Sequence, residues 1–144
     1  MEGMSSEQEQ RELTAEVVGL FAAINRRYAT EAEAAAGAHG LTPMQAKALL
    51  AAQEPVVTRR IAEHLHTEPS NVTALVDKLQ TRGLIERREN PNDRRVRLVA
   101  ATDQGRRVAE DLQARMPFAS RPLARLTSEQ QHQLRTLLTI LLAD

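Results

Sequence analysis

Apolar residues recur every three or four positions through most of the chain and every second position in one central stretch. The first spacing predicts amphipathic helices, and the second predicts β-strands. Residues 13–28 have the helical spacing, which continues into an alanine-rich run. Ser6 and Glu9 match a capping box at the start of this helix, and Gly37 and Gly40 bracket its end. A helix of roughly 30 residues is too long for a protein of this size to bury on itself, so we expect it to pack on a partner chain.

Capping residues and prolines predict three further helix starts in the middle of the chain, at Thr42, Thr58 and Pro69. The helix that begins at Thr42 ends near Gln53, and residues 55–57 have the composition of a short strand. Because the last two helices are short and separated only by a tight turn, they predict a helix-turn-helix.

The helix that begins at Pro69 has one apolar stripe and one small polar face. Its stripe, at i, i+3, i+4 and i+7, consists of Val72, Leu75, Val76 and Leu79. Its other face carries Ser70, Asn71, Thr73, Ala74, Asp77, Lys78 and Thr81. Short side chains let a helix approach the major groove of DNA, and an Asn amide can pair with adenine through two hydrogen bonds. This face is therefore a candidate base-reading surface.

The period changes to two in the following segment, where residues 84–89 and 95–101 flank the turn-forming residues 90–93. The pattern predicts a β-hairpin. We expect the side chains of Val96, Leu98 and Ala100 to face the core and those of Arg95, Arg97 and Val99 to face solvent. Residues 78–97 contain seven basic and three acidic residues. An arginine-tipped hairpin suits the narrow minor groove, where negative potential is concentrated. Asp93 is predicted to pair with a loop arginine and hold it.

Two more helices are predicted after the hairpin. Thr102 caps the first, which runs to about Met116, where Pro117 and Pro122 bend or end it. Thr127 opens a capping box before the second, which is rich in leucine. Because little chain is left to cover these leucines, we expect a partner chain here as well.

Charge and composition narrow the function. The chain has 19 basic and 19 acidic residues, a neutral sum that by itself argues against a nucleic-acid binder. Divided along the chain, the net charge is −4 over residues 1–54, +3 over residues 55–101 and +1 over residues 102–144. The helix-turn-helix and hairpin are thus the most basic part. The absence of cysteine excludes disulfides, thiolate zinc sites and thiol redox sensing. With no apolar run that could span a bilayer, we expect a soluble, cytoplasmic protein without membrane contact.

Other functional classes have less support. The four histidines lie in separate segments without a catalytic motif, so we expect no enzyme activity. A metal-responsive winged-helix repressor is the alternative that stays open; it would use His64 and His66 with Glu63 or a residue of the partner chain. A protein-interaction module that has lost DNA binding would have little reason to keep a basic hairpin.

Four segments of the chain resemble the MarR (multiple antibiotic resistance regulator) family. They are NVTALVDKL at 71–79, RGLIER at 82–87, NPNDRR at 90–95 and LVAATDQG at 98–105. The resemblance implies a mainly α fold with a small β-hairpin wing (α+β), that is, a winged helix-turn-helix with N- and C-terminal dimerisation helices. It implies a dimerisation helix in residues 1–40, a DNA-binding domain in residues 41–101 and dimerisation helices in residues 102–144. It also implies a homodimer that binds pseudo-palindromic double-stranded DNA.

By the same resemblance, the major-groove residues are Ser70, Asn71, Thr73 and Lys78. The wing residues at the minor groove are Arg95 and Arg94, with Asp93 orienting Arg95. We expect phosphate contacts from Thr58, Arg59, Arg60, Arg87, Arg88 and Arg97. Many family members carry Arg where this chain has Ala74, and Glu68 stands where Ser or Asp would cap better. Both departures bear on which DNA sequence is read.

Family members are often repressors that release DNA when a small aromatic or phenolic anion binds between the dimerisation helices and the reading head. The resemblance therefore implies a possible effector pocket. Its candidate residues are Phe21, Tyr28, His39, Met44 and Leu49. No cofactor and no resident metal are expected.

Overall fold

The computed structural model describes residue 3 and residues 5–144, and within them the chain forms seven helices and three short strands. In chain order these are α1 (Ser6–Ala38), α2 (Pro43–Ala51), β1 (Val56–Val57), α3 (Thr58–Leu65), α4 (Pro69–Thr81), β2 (Ile85–Glu89), β3 (Arg97–Ala101), α5 (Asp103–Ala114), α6 (Pro117–Ser120) and α7 (Ser128–Leu142). The predicted fold class, mainly α with a β-hairpin wing, is confirmed.

Three of the predicted helix caps form as expected. The Thr42 hydroxyl accepts from the backbone N–H of Gln45, while the Gln45 side chain accepts from the Thr42 backbone N–H. Thr127 and Gln130 form the same reciprocal pair at the start of α7. Thr102 caps α5 by accepting from the Gly105 N–H at 3.0 Å. Each cap satisfies N–H groups that the first helical turn leaves unpaired.

Other predicted helix ends are wrong by a residue or more. The N-cap of α1 is Ser5, which has extended backbone angles and accepts from the Gln8 N–H, so Ser6 is already helical. The predicted C-terminal end of α1 is confirmed, since the helix ends at Ala38 with His39 as its C-cap, between Gly37 and Gly40. Thr58 is the first residue of α3 and not its cap. Pairing of β1 with β3 keeps Val57 extended in the N-cap position, and the helix therefore begins at Thr58, one residue earlier than a Thr58 cap would place it.

The three strands form an antiparallel sheet in the order β1-β3-β2. Because β3 is central, its last residues are covered on both sides, and Val99 is buried although we expected it to face solvent. Val96 is 41% exposed, contrary to the prediction, because it precedes β3 in the loop at the hairpin tip. Ala100 is buried as expected.

The core forms where α2, α3 and α4 pack together against the base of the sheet and α5. Its largest fully buried side chains are Leu49, Ile61, Leu79, Ile85, Leu112, Val72, Val76 and Val99. Burial of Val72, Val76 and Leu79 confirms the predicted stripe of α4, with Leu75 half-buried beside it. The opposite face of α4 is consequently held toward solvent.

The start of α5 is packed against the connection between α4 and β2. A Cβ atom on Gly105 would lie 1.9 Å from the carbonyl oxygen of Leu84, so only glycine fits at this position. The Thr102 hydroxyl also donates to the Gly83 carbonyl at 2.6 Å. These contacts fix the base of the hairpin relative to α4.

Both terminal helices expose apolar side chains. Every residue from 5 to 27 is exposed, so no residue in the first two-thirds of α1 is buried within the chain. The large apolar side chains involved on these helices are Leu13, Val17, Val18, Leu20, Phe21 and Ile24 of α1, and Leu137, Leu138, Ile140, Leu141 and Leu142 of α7. We call this set the arm surface.

The predicted domain boundaries fall between α1 and α2 and between β3 and α5. The core nevertheless continues across both, since it includes Ala35 and Ala36 of α1 and Ala109 and Leu112 of α5. The division into three domains stays a prediction. Within residues 3 and 5–144, no helix has the length and apolar character needed to cross a membrane.

Candidate nucleic-acid interface

The helix-turn-helix consists of α3, a turn over residues 66–68, and α4. His66 ends α3 with a left-handed backbone at φ 53°, which turns the chain sharply. Glu68 is the N-cap of α4, and its carbonyl accepts from the N–H of Asn71 at 3.0 Å. The Glu68 side chain makes no cap hydrogen bond. Its carboxylate therefore stands exposed at the end of α4 that the sequence assigns to DNA.

The predicted major-groove residues share the solvent-facing side of α4. Ser70, Asn71, Thr73 and Lys78 are all exposed. The Asn71 amide nitrogen donates to the Thr67 hydroxyl at 2.9 Å, which fixes the rotamer of the amide but leaves its oxygen and second hydrogen available. Thr67 was not among the candidate residues. In the sequence, the signal that could have identified it is its position four residues before Asn71, across the start of α4.

The wing, defined as β2, β3 and the intervening residues 90–96, presents its arginines through an ordered loop. The Asn90 side chain accepts from the Asn92 N–H at 3.0 Å. One Asp93 carboxylate oxygen accepts from the Arg95 N–H at 3.0 Å and lies 3.4 Å from Arg95 Nε. The predicted pairing of Asp93 with a loop arginine is thus present, while the Arg95 side chain is 92% exposed.

The wing is also tied to α4 by Arg87. Its guanidinium contacts Asp77 at 2.5 Å and the Gln80 side chain, and it is only 27% exposed. Arg88 is half-buried and pairs with Glu86 on its own strand. Arg87 therefore connects β2 to α4, and the predicted phosphate contacts of Arg87 and Arg88 stay predictions.

The remaining predicted phosphate residues surround the same region. Arg59, Arg60, Arg94 and Arg97 are exposed, and Thr58 is half-buried at the first position of α3. Arg59 lies 3.9 Å from Glu63, and Arg94 lies 3.8 Å from Glu89. Exposed pairs at such distances contribute little to stability, so these cations are free to exchange their partners for DNA phosphates.

A cavity of about 830 Å³ lies behind this surface, between α1, α2, α3 and the segment α5–α6. Its walls combine apolar side chains with basic groups: Tyr28, Leu50, Val56, Ile61, Met116, Lys47, Arg60 and His64. Glu63 is the acidic residue among its lining side chains. The outer wall is fixed because the Glu31 carboxylate accepts from the backbone N–H groups of Phe118 and Ala119.

Of the five candidate effector residues, the structure places Tyr28 at this cavity. Leu49 is fully buried in the core, and Phe21 is exposed on the arm surface. The His39 ring nitrogen Nε2 contacts Asp111 at 2.6 Å, and Met44 is half-buried on α2. The basic cavity residues Lys47 and His64 were missed because nothing in their sequence positions links them to Tyr28.

The residues of the metal-based alternative do not converge. His64 lines the cavity, whereas His66 lies at a separate surface depression beside the helix-turn-helix turn. Over residues 3 and 5–144, no three His, Asp or Glu side chains are grouped closely enough to hold a metal ion.

Comparison with known proteins agrees with this architecture. Residues 42–96 match the sequence model of the MarR family. The chain is 35% identical to the HTH-type transcriptional repressor MdtR of Bacillus subtilis over 97 residues, which cover 65% of this chain and 63% of that protein.

Two solved structures illustrate the similarity in fold. CouR from Rhodococcus jostii RHA1, bound to p-coumaroyl-CoA, is 30% identical, with a TM-score of 0.73 and coverage of 92% of this chain and 96% of that one. A MarR mutant from E. coli in complex with operator DNA is 23% identical, with a TM-score of 0.64 and coverage of 89% and 94%. The chain belongs to the MarR family, whose members are DNA-binding transcriptional regulators and not enzymes.

Proposed function

We propose that this DNA-binding regulator is a ligand-responsive repressor that binds a pseudo-palindromic operator as a homodimer. The observation that carries the proposal is the polar, solvent-facing side of α4, which Arg87 ties to an arginine-tipped wing. In this arrangement α4 enters the major groove of a half-site while the wing reaches the adjacent minor groove.

The homodimer is supported by the arm surface. Leu20 is 63% exposed, and Ile140 and Leu141 are each 65% exposed, although they belong to long, regular helices. Large apolar side chains exposed in such number on two regular helices mark a protein interface. A two-fold dimer would present two copies of α4, which suits half-sites separated by about one helical turn of DNA.

Base reading is assigned to Asn71, with Ser70, Thr73 and Lys78 beside it on α4. Asn71 has its amide oxygen and one amide hydrogen available for an adenine edge. Arg95, with Arg94, is assigned to the minor groove because its exposed guanidinium stands on a loop that Asp93 orders. Exposed arginines around α3 and the wing supply phosphate contacts, so binding should weaken steeply with salt.

The cavity between α1 and α3 is the proposed effector site. Its apolar walls fit an aromatic ring, and Lys47, Arg60 and His64 fit an anionic group. The similar protein CouR was solved with p-coumaroyl-CoA, which combines a phenolic ring with anionic groups. The name of MdtR supports repression as the regulatory mode. A ligand between α1 and α3 would shift the dimer toward a spacing of the α4 helices that does not fit DNA.

Fluorescence anisotropy tests this function. Labelled DNA from the protein's own promoter region is titrated in a salt series with non-specific competitor, and aromatic carboxylates and their CoA thioesters are then added. We expect a specific, salt-sensitive complex that one of these compounds dissociates. Binding without preference over competitor would refute operator recognition. A specific complex that none of these compounds affects would refute the proposed effector class alone.

A further inference from the structure

The C-terminal end of α4 is fastened to the turn that follows α1. Arg82, the C-cap residue of α4, donates from one guanidinium nitrogen to the His39 carbonyl at 2.8 Å and from the other to the Gly40 carbonyl at 3.1 Å. Gly40 has a left-handed backbone at φ 65°, which directs these consecutive carbonyls to one guanidinium. A planar guanidinium with two acceptors resists both displacement and rotation.

The same turn is held from its other side by α5. The His39 ring contacts Asp111 at 2.6 Å, and Arg115 donates to the same Asp111 oxygen at 2.7 Å. Asp111 belongs to α5, and Arg115 is the C-cap residue of the same helix. The turn after α1 is thus a junction at which α1, α4 and α5 are joined by polar contacts outside the apolar core.

Arg82 stands apart from the proposed DNA-reading surface. It lies 11 positions beyond Asn71, so the length of α4, roughly 16 Å at 1.5 Å per residue, separates it from the base-reading end. Its guanidinium is also occupied by two main-chain acceptors. A phosphate contact therefore does not account for this arginine.

We infer that Arg82 is a positioning residue, which sets the angle of α4 relative to α1 and thereby the spacing of the two reading helices in the dimer. The angle between α4 and α1 is a property of a single chain. The effect on the spacing of the two α4 helices rests on the proposed function as a DNA-binding homodimer. Without Arg82, α4 keeps its apolar packing but loses the restraint at its far end, and a small rotation there moves the Asn71 end relative to the dimer.

The chain contains no cysteine, so spin labels can be placed at chosen sites without background. Glu33 of α1 and Ala74 of α4 are both exposed and are replaced together by Cys in the full-length chain. Labelled chains are diluted with an excess of unlabelled chain, so that the double electron–electron resonance signal reports distances within one chain. The distribution is compared among the parent, Arg82→Ala, Arg82→Lys and, as a matched loss of an exposed arginine, Arg121→Ala.

We expect the α1–α4 distance distribution to broaden in Arg82→Ala, to broaden less in Arg82→Lys, and to stay unchanged in Arg121→Ala. In DNA binding, Arg82→Ala should lose much of its preference for the native half-site spacing over a site with one inserted base pair. Arg82→Lys keeps the charge and serves as the test if Arg82→Ala does not fold.

A distribution in folded Arg82→Ala as narrow as in the parent would overturn the positioning role, whatever the DNA result. If Arg82→Ala bound the native site and the site with one inserted base pair more weakly by the same factor, the proposed effect of Arg82 on the spacing of the two α4 helices would be overturned. A broadened distribution in Arg82→Ala, combined with a parent protein that shows no specific DNA binding, would leave the positioning role intact and refute the proposed operator recognition instead.

Discussion

Asp93 holds Arg95 through two contacts to a single carboxylate oxygen, one from the Arg95 backbone N–H at 3.0 Å and one to its Nε at 3.4 Å. The Arg95 side chain is 92% exposed. The carboxylate therefore orders the Arg95 backbone, while the guanidinium remains available to a partner. An ordered but unburied arginine at a hairpin tip is suited to a narrow, negative groove.

Arg95→Ala should weaken operator binding, with a larger loss when the flanks of the half-sites are A·T-rich than when they are G·C-rich. The reason is that A·T tracts narrow the minor groove and strengthen its attraction for arginine. Anisotropy titrations on the two flank compositions measure the difference. Arg125→Ala removes an exposed arginine outside the wing and is the control. Equal losses on both flanks would contradict insertion into the minor groove.

Asp93→Ala, measured in the same assay, separates the ordering of Arg95 by Asp93 from the effect of the Asp93 charge on the wing. Removing a carboxylate makes the wing more positive, so a purely electrostatic wing would bind all DNA more tightly. If Asp93 orders Arg95, the variant should instead lose discrimination between the two flank compositions.

Asn71→Ala should cost about 1–3 kcal/mol of operator affinity and relax specificity at one base-pair position of each half-site. Thr67→Val should relax the same position more weakly, because it removes the acceptor of the Asn71 amide while keeping the shape of the side chain. Binding to operators substituted at single positions measures both effects. Uniform weakening across all substituted operators would argue against base reading by Asn71.

Local chemistry explains which parts of this fold were predictable. The caps at Thr42, Thr102 and Thr127 depend on residues three positions away, and the stripe of α4 depends on one helical period. The Asp93–Arg95 contact spans two residues. In each case the interacting groups are close in sequence, so their pattern determines the outcome before any tertiary contact forms.

Errors arose where distant segments meet. Val99 is buried because β1, more than 40 positions earlier in the chain, pairs with it and makes β3 a central strand. The same pairing shifts the start of α3 to Thr58. Arg82 and His39 are 43 residues apart, and nothing in either segment predicts their contact. The cavity residues were missed for the same reason, since the cavity forms only when α1, α2, α3 and the α5–α6 segment come together.

Leu141→Glu should convert the protein to a monomer and weaken operator binding. Leu141 is 65% exposed in the single chain, so the substitution leaves its core intact but puts a charge in the proposed dimer interface. Gln133→Glu adds the same charge at an exposed polar position of α7 and is the control. Analytical ultracentrifugation measures the mass. A dimeric Leu141→Glu would place the interface elsewhere.

Asp111→Asn tests the junction between α1 and α5 through its pH dependence. The hydrogen bond from Arg115, followed by that with His39, holds the pKa of Asp111 below its ordinary value of 3.8. Because the folded-state pKa is the lower one, the ionised carboxylate stabilises the native state above the ordinary value, and this contribution disappears as the pH falls through the lowered value.

We therefore expect Asp111→Asn to have a lower Tm than the parent at neutral pH, with a difference that shrinks as the pH falls below about 4 toward the lowered pKa of Asp111. Thermal melts followed by circular dichroism measure it. Glu110→Gln, which neutralises an exposed carboxylate on the same helix, is the control. A difference in Tm that is independent of pH would assign the effect of the substitution to packing.

Lys47→Ala should raise the concentration of aromatic anion needed to release DNA by roughly ten- to a hundredfold, because the anion loses a charge-assisted hydrogen bond. Lys47 lines the cavity and is not among the proposed DNA contacts, so affinity for the operator without effector should stay unchanged. Lys47→Arg, which keeps the charge, should respond nearly as the parent does. Ala119→Phe fills the same cavity without removing a charge and should also block release. If release persists unchanged in both Lys47→Ala and Ala119→Phe, the effector binds elsewhere, and the arm surface becomes the next site to test.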